Sequence, residues 1–402
     1  MELGNNMCNF RRLLQGSLYL ISIIFVLAAC SLLPRTPYTP ADEASSQVLD
    51  VGKLRRYTDE PASAFAEGVD RRFGSGPLVY LALSGGGADG AYGAGVLNGW
   101  TAAGTRPSFT VVSGVSTGAL IAPFAFLGPA YDATLKEIYT SGIAESLTDT
   151  PNLLNALFGS GLFGNARLRD LVARYVDQQM LSEIAAANAR GRDLYIVTTN
   201  LDTQRTVMWD MGRIARVGTP QALTLFRDVL AASASLPVVF PPILIDAEAN
   251  GHHFQEMHVD GGVTAPILTL PEAFLLRRAK LTQNVRMDLY VLVNDKVERD
   301  FELVPDKTLD IAMRSSASIM KAQIRSVLYE TYDFARRNKF GFNLTDIGAD
   351  APASSGGSSF GFNTGYMRAL YDYGYQKAKT RGLWSKEIPS DDLPARVHIG
   401  GR

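Results

Sequence analysis

The sequence predicts an α/β fold in three layers, an open and mostly parallel sheet with helices on both faces. Short continuous apolar runs, such as Leu78–Leu83 and Leu289–Val293, are typical of strands that are buried on both sides. Helical stretches such as Arg167–Val176 and Leu223–Ala234 lie between runs of this kind. Strands that alternate with helices pair in parallel, because each helix carries the chain back across the sheet.

Length and composition restrict the class of protein. The chain has 402 residues, a net charge of −1 and a hydrophobic fraction of 46%, so it can bury one large domain or two smaller ones. A charge this close to zero implies no basic face, and nucleic-acid binding is therefore not predicted. No cluster of His, Cys or carboxylate residues has metal-ligand spacing, so we expect neither a metal nor another cofactor.

The N-terminal residues differ from the rest. Arg11 and Arg12 precede an apolar run that ends in Leu-Ala-Ala and then Cys30. A basic flank, an apolar stretch and small residues before a break indicate an export signal. A cysteine at the break resembles the bacterial lipoprotein signal, in which this residue is lipidated and becomes the new N-terminus. A transmembrane anchor is the alternative, because the run approaches the ~20 residues that a span needs.

The lipoprotein interpretation sets the first two domain boundaries. Residues 1–29 would be the signal peptide, and residues 30–76 the lipidated N-terminus and a tether, since residues 31–64 are rich in Pro, Ser, Ala and Thr. By the same resemblance, Ser31 after the cysteine favours a lipid-anchored protein of the cell envelope, at the outer membrane and facing the periplasm. Removal of Cys8 with the signal leaves no disulfide in the mature chain.

A glycine-rich loop, Ser84–Gly90 (Ser-Gly-Gly-Gly-Ala-Asp-Gly), directly follows the first buried strand. Successive glycines let the backbone turn sharply and direct N–H groups at a ligand, either a phosphate or an oxyanion. The loop also matches the G-x-G-x-x-G dinucleotide pattern. That alternative predicts an acidic residue at the end of the next strand, about 20 positions on, and residues 105–113 contain none.

A second motif, Gly114–Gly118 (Gly-Val-Ser-Thr-Gly), lies between a buried strand and a helical stretch. A serine flanked by glycines at this spacing makes a tight strand-to-helix turn that exposes its hydroxyl, here that of Ser116. The N–H of Thr117 then faces the reacting centre. Gly357–Gly361 matches the same pattern, but no strand precedes it in its Ser/Gly-rich loop, so we interpret it as a chance match.

A third motif, His258–Gly262 (His-Val-Asp-Gly-Gly), ends a strand-like segment. With the glycine-rich loop, the serine turn and the segment Ala231–Pro242, it resembles the patatin-like phospholipase family, in the same order and over roughly residues 77–296. The resemblance implies a patatin-like catalytic domain in this range. Residues 297–402 would then be a C-terminal helical extension that packs on the domain.

The resemblance implies a serine acyl hydrolase for lipid or phospholipid esters that needs no cofactor. Ser116 would be the nucleophile and Asp260 its base. The N–H groups of Gly85, Gly86 and Gly87, with that of Thr117, would hold the oxyanion. One departure concerns Asp89, since the family's loop often carries an arginine at this place. An acidic residue there argues against a phosphate headgroup held by the loop.

Two alternatives remain open. An ordinary Ser-Asp-His esterase would need a histidine, and His258 is the main candidate because residues two apart on a strand face the same side. His398 is the only later histidine, and His252 and His253 lie in a polar segment. The second alternative is an envelope lipoprotein that binds lipid without catalysis.

Overall fold

The computed structural model describes residues 35–65, 77–147, 164–275, 286–301, 303–353, 362–380 and 382–389. The strands within these ranges are β1 (Arg55–Tyr57), β2 (Leu78–Leu83), β3 (Val111–Val115), β4 (Asp193–Asn200), β5 (Arg205–Asp210), β6 (Ile243–Ala249), β7 (His252–Asp260), β8 (Met287–Leu292) and β9 (Gly341–Thr345). The α-helices are α1 (Pro40–Ala44), α2 (Gly90–Ala102), α3 (Thr117–Leu127), α4 (Asp132–Thr140), α5 (Asn165–Tyr175), α6 (Gln178–Ala189), α7 (Met211–Val217), α8 (Pro220–Ser233), α9 (Glu272–Leu275), α10 (Thr308–Asn338) and α11 (Thr364–Ala378).

The strands form one sheet in the order β1-β5-β4-β3-β2-β8-β9. Its centre, from β4 to β9, is parallel, and β1 and β5 add an antiparallel edge. Strand β7 pairs antiparallel with both β4 and β6. The predicted α/β class with a mostly parallel sheet is therefore confirmed. Because the carboxyl ends of parallel strands share one edge, the loops after β2, β3 and β8 meet there.

Alternate residues of β2 divide the core between the two faces of the sheet. Leu81 and Leu83 join the larger cluster, which contains side chains of α2, α3 and α8. Tyr80 and Ala82 point the other way, into a cluster that contains side chains of α10. Burial on both faces is the reason that these strands read as continuous apolar runs rather than as alternating patterns.

The C-terminal part of the chain is more than the expected helical extension. Strand β9 pairs in parallel with β8 and completes the sheet, and α11 packs on α2. The two helices approach closely at glycines: a Cβ atom added to Gly95 would lie 2.1 Å from the carbonyl oxygen of Tyr371. Residues after 296 therefore complete the same domain.

The described part of the predicted tether, residues 35–65, is also folded onto the domain. Strand β1 pairs with β5, and the ring of Tyr38 stacks on Phe254 at a centroid distance of 4.4 Å. The three-residue β1 is too short to leave a periodic signal, so the sequence alone did not reveal it. Residues 1–29, the predicted signal peptide, and Cys30, the predicted lipidation site, lie outside the described residues. Within the described chain, no helix has the length and apolar character of a membrane span.

Candidate active site

Ser116 occupies a strained turn between β3 and α3. Its backbone has φ 55° and ψ −125°, a conformation that non-glycine residues rarely adopt and that is common where strain serves a function. Glycines are required around it, because a Cβ atom at Gly114 would lie 2.4 Å from the carbonyl oxygen of Gly118. The predicted serine turn is thus present, with Ser116 half-buried at the carboxyl edge of the sheet.

The sheet register brings Asp260 to the same place. Strand β3 ends at Val115, opposite Val197 of β4, and β7 ends at Asp260, opposite Thr198. Strand β7 therefore pairs with the same edge of β4 as β3 does, starting at the residue after the one where β3 ends. The ends of β3 and β7 consequently face each other. The sequence could not predict this register, because it depends on the antiparallel pairing of β7, part of the β6–β7 hairpin, with the distant strand β4.

The Asp260 side chain is buried, with 1% of its surface exposed. Burial raises the pKa of Asp260 to about 7, while the nearby Ser116 hydroxyl and the Gly262 N–H favour the carboxylate and oppose that rise. The Gly262 N–H donates to Asp260 Oδ1 at 2.7 Å. A carboxyl group with a pKa near neutrality, in contact with a serine hydroxyl, is suited to take its proton.

The segment Ala231–Pro242 ties the two residues together through their backbones. The N–H of Ser116 donates to the hydroxyl of Ser233 at 3.1 Å, and that hydroxyl donates to the carbonyl of Val197 at 2.6 Å. Two residues on, the carbonyl of Ser235 accepts the N–H of Asp260 at 3.0 Å. This segment therefore fixes the distance between serine and aspartate.

The glycine-rich loop lies against Ser116, but not all of its backbone N–H groups are available to bind an oxyanion. A Cβ atom at Gly85 would lie 3.2 Å from Cβ of Ser116, so Gly85 lines the site. Its own N–H donates to the carbonyl of Pro266 at 3.0 Å and is not available to an oxyanion. The N–H groups of Gly86, Gly87 and Thr117 have no hydrogen-bond partner among the described residues. These three are the candidate oxyanion donors.

Asn294, just beyond β8, holds this loop in place and was not predicted. It is fully buried, and its Nδ2 donates to the carbonyl of Ser84 at 2.9 Å while its Oδ1 accepts the N–H of Gly93 at 3.1 Å. A Cβ atom at Gly86 would lie 1.9 Å from the carbonyl oxygen of Asn294. In sequence, Asn294 is one polar residue after an apolar run, with no motif around it.

His258 is engaged in a different network. Its Nδ1 lies 2.9 Å from the Thr198 hydroxyl and its Nε2 lies 3.2 Å from Glu256 Oε2, so both ring nitrogens have partners other than Asp260. Burial lowers the pKa of His258. Burial alone would favour neutral Glu256, but His258 and the buried Arg55 hold the pKa of Glu256 at about 2. The geometry argues against a histidine relay to Ser116.

The other two histidines of the described chain have contacts that do not include Ser116. His252 and His253 lie on the β6–β7 hairpin and pair with Asp42 and Glu248, while His398 and Gly357–Gly361 lie outside the described residues. In the part of the chain that the structure describes, no three His, Cys, Asp or Glu residues are grouped as metal ligands.

Asp89, at the end of the glycine-rich loop, accepts a hydrogen bond from the hydroxyl of Tyr366 at 2.7 Å. Burial raises the pKa of Asp89 to about 7 despite this bond, which favours the carboxylate. The position where the family often has an arginine is therefore tied to α11, and its carboxyl group offers no cationic contact to a headgroup.

Comparison with known proteins agrees with this geometry. The family model of the patatin-like phospholipases matches residues 81–271, which contain Ser116, Asp260 and the glycine-rich loop. Residues 81–271 are therefore similar to a patatin-like phospholipase domain, and lipid ester hydrolysis is the general activity that such a domain supports.

One solved structure is similar to this chain at low sequence identity. The crystal structure of VipD from Legionella pneumophila is similar at 16% sequence identity and a TM-score of 0.36, over 75% of this chain and 66% of VipD. A TM-score this low does not by itself establish a shared fold. No curated protein matches the chain.

Proposed function

We propose that this protein is a serine acyl hydrolase that cleaves lipid carboxylic esters with a Ser116–Asp260 dyad. The observation that carries the proposal is the buried carboxyl group of Asp260 at the facing ends of β3 and β7, where the Ser116 hydroxyl is close enough to favour the carboxylate while burial raises the pKa of Asp260 to about 7. Both nitrogens of His258 have other partners. A serine with a direct carboxylate base is therefore the simplest arrangement that these contacts support.

The proposed reaction has two steps. Ser116 Oγ attacks the ester carbonyl carbon while Asp260 accepts the hydroxyl proton, and the Gly86, Gly87 and Thr117 N–H groups hold the oxyanion. The alcohol leaves with the proton from Asp260. Water then attacks the acyl-enzyme and gives a proton to Asp260. Asp260 passes this proton to Ser116 Oγ as the tetrahedral intermediate collapses, which releases the fatty acid and regenerates the free serine and the carboxylate.

We further propose that Cys30 is lipidated after removal of residues 1–29, which would attach the enzyme to the periplasmic face of the outer membrane. The Leu-Ala-Ala-Cys ending of the apolar run supports this proposal. Substrate and enzyme would then share one surface, so that membrane lipids reach Ser116 without crossing water.

A serine-directed acyl phosphonate probe tests the proposed function. We expect the probe to label Ser116 and the Ser116→Ala protein to lose all turnover, while Ser359→Ala, in the matching Ser/Gly-rich pattern, behaves as wild type. Profiling the products from mixed phospholipids and neutral esters then identifies the ester. A protein that takes no label at Ser116, or is labelled at Ser359, contradicts the proposal, and the former would favour a lipid-binding protein without catalysis.

A further inference from the structure

Five large apolar side chains of the described chain are exposed within one short stretch. Phe301 and Leu303 have 91% and 84% of their surface exposed, Ile319 has 62%, and Val304 and Ile311 are exposed as well. We call these five residues the apolar arm. Soluble proteins rarely expose large apolar side chains in such a group unless the surface contacts another apolar phase.

Hydrogen bonds hold the arm together as one surface. The carbonyl of Asp300 accepts from the Arg314 guanidinium at 3.1 Å, and its carboxylate accepts from Lys321 Nζ at 2.8 Å. These bonds keep Phe301 beside the turns of α10 that carry Ile311 and Ile319. From residue 308 to residue 323, no described side chain of α10 is fully buried, so this half of the helix lies at the surface, with Met313 and Met320 packed against the core.

The helix that carries two residues of the arm contacts the segment after Asp260. Met320, next to Ile319 in the chain, lies with its Cε 3.4 Å from where a Cβ atom on Gly262 would be. Gly262 donates its N–H to the catalytic candidate Asp260, and the following Val263 is exposed. The part of α10 that carries Ile319 therefore lies close to the segment that follows Asp260.

A polar cavity of about 500 Å³ lies beside the arm, between α10 and the loop after β8. Its charged lining consists of four cationic and two acidic side chains: Arg299, Arg314, Lys321, Arg325, Asp295 and Asp300. The excess of cations at the edge of an apolar surface complements a layer of anionic headgroups over an acyl interior.

We propose that the apolar arm docks the enzyme on an anionic lipid bilayer, with the arm among the acyl chains and the cavity facing the headgroups. The inference rests on the proposed function, because the bilayer supplies the ester that Ser116 attacks. The N-terminal lipid would hold the protein near the membrane, and the arm would turn the active site towards it.

The test uses the full chain with Phe301→Trp in a Ser116→Ala background, mixed with phosphatidylglycerol vesicles that carry brominated acyl chains. We expect the emission of the new tryptophan to shift to the blue and to be quenched. Tyr329→Trp is the matched control, since Tyr329 is exposed farther along α10, and its emission should stay unchanged. The control also accounts for vesicle binding through the N-terminal lipid, because that lipid would attach both variants to the vesicles.

A second variant links docking to turnover. Phe301→Asp in the active chain should lose about tenfold or more in rate on vesicles and keep its rate on a dispersed short-chain ester, a loss that corresponds to about 1.4 kcal/mol of surface binding. No shift and no quenching at residue 301, or an equal response at residue 329, would overturn the docking surface. An equal response to phosphatidylcholine vesicles would overturn the role of the cations.

The two proposals fail in different ways. If the Phe301→Asp protein is still labelled at Ser116 by the phosphonate probe but hydrolyses the ester in vesicles at the wild-type rate, only the docking surface is wrong. If the emission of the Phe301→Trp variant shifts and is quenched on vesicles, but the chain that retains Ser116 takes no label there, the proposed hydrolase is wrong and the docking surface stands.

Discussion

Asn294 and Ser84 are joined by two hydrogen bonds, one from the Asn294 backbone N–H to the Ser84 hydroxyl at 2.8 Å and one from Nδ2 to the Ser84 carbonyl at 2.9 Å. The same hydroxyl donates to the carbonyl of Gly85 at 2.7 Å. The loop that carries the candidate oxyanion donors is therefore fixed from β8, the neighbouring strand. Asn294 is a positioning residue rather than a catalytic one, because it acts through the loop.

Asn294→Ala should lower kcat about 10- to 100-fold with little change in KM, because misplaced donors matter most when the oxyanion forms. It should also cost roughly 1–3 kcal/mol of stability for each buried group left without a partner. Asn343→Ala is the matched control, since Asn343 is buried on β9 and donates to Leu289 at 3.1 Å, away from the loop. Kinetics and melting curves of both variants are needed. If both lose stability and neither loses kcat, Asn294 has only a structural role.

Gly87→Ala should reduce kcat/KM more than tenfold for a stability loss of only about 1–2 kcal/mol. Gly87 has φ 56° and nothing within 4 Å of an added Cβ atom, so the methyl group strains the backbone at the donors without a collision. Gly104→Ala carries the same kind of strain, with φ 71° and open space, in a turn outside the site. Equal activity losses in both variants would show that Gly87 has no special role.

The pH dependence of kcat/KM should follow Asp260. With a pKa of about 7, the carboxylate that accepts the proton forms only as the pH rises through neutrality, so kcat/KM should rise tenfold per pH unit below about 7 and level off above it. Rates on a soluble ester between pH 5 and 9 measure this profile. A level profile down to pH 5 would contradict the raised pKa.

Asp260→Asn should be inactive and, at pH 8, more stable than wild type. The folded pKa is raised from 3.8 to about 7, so between these values the folded state holds a proton that the unfolded state has released. Wild-type stability therefore falls as the pH rises from about 4 to 7, by up to about 4 kcal/mol, and the amide does not titrate. Melting temperatures at pH 4 and pH 8 should show this difference growing with pH. A variant less stable than wild type at pH 8 would contradict it.

Cys30→Ser should remain uncut and should not reach the outer membrane, because the attachment point for lipid is lost. Mass spectrometry of the N-terminus and fractionation of the envelope measure both effects. Ser31→Ala is a suitable control, since it leaves the cysteine in place. A Cys30→Ser protein that is processed and lipidated like wild type would refute the lipoprotein interpretation.

Local patterns in the sequence predicted the parallel sheet and the tight serine turn, because each depends on a few consecutive residues, whereas Asp260 was implied by the resemblance to the patatin-like family. Long-range pairings were not predictable in this way. The register that sets Asp260 beside the end of β3 comes from β7 pairing with β4, and β9 and β1 join the sheet from regions expected to be helical or a tether. Asn294 was missed for the same reason: its partner is 210 residues away.

The glycine-rich loop shows that a sequence motif can predict a backbone turn without predicting which of its N–H groups bind the oxyanion. Its three central glycines were all expected to donate to the oxyanion, but Pro266 takes the N–H of Gly85. The motif fixes how the backbone turns, whereas the use of each N–H depends on a carbonyl from a distant segment. His258 is similar, since its spacing from Asp260 fits a triad, and only Thr198 and Glu256 reveal its other role.

The most direct test of the dyad compares kcat/KM of His258→Gln with those of Asp260→Asn and Ser116→Ala on one soluble ester, with the fold checked by circular dichroism. If Asp260 acts on Ser116 directly, Asp260→Asn should lose on the order of 10³-fold or more, whereas His258→Gln should lose at most about tenfold, the scale of one weakened hydrogen bond. Members of one catalytic unit fail together, so a folded His258→Gln protein with activity as low as Ser116→Ala would contradict the dyad and restore a triad.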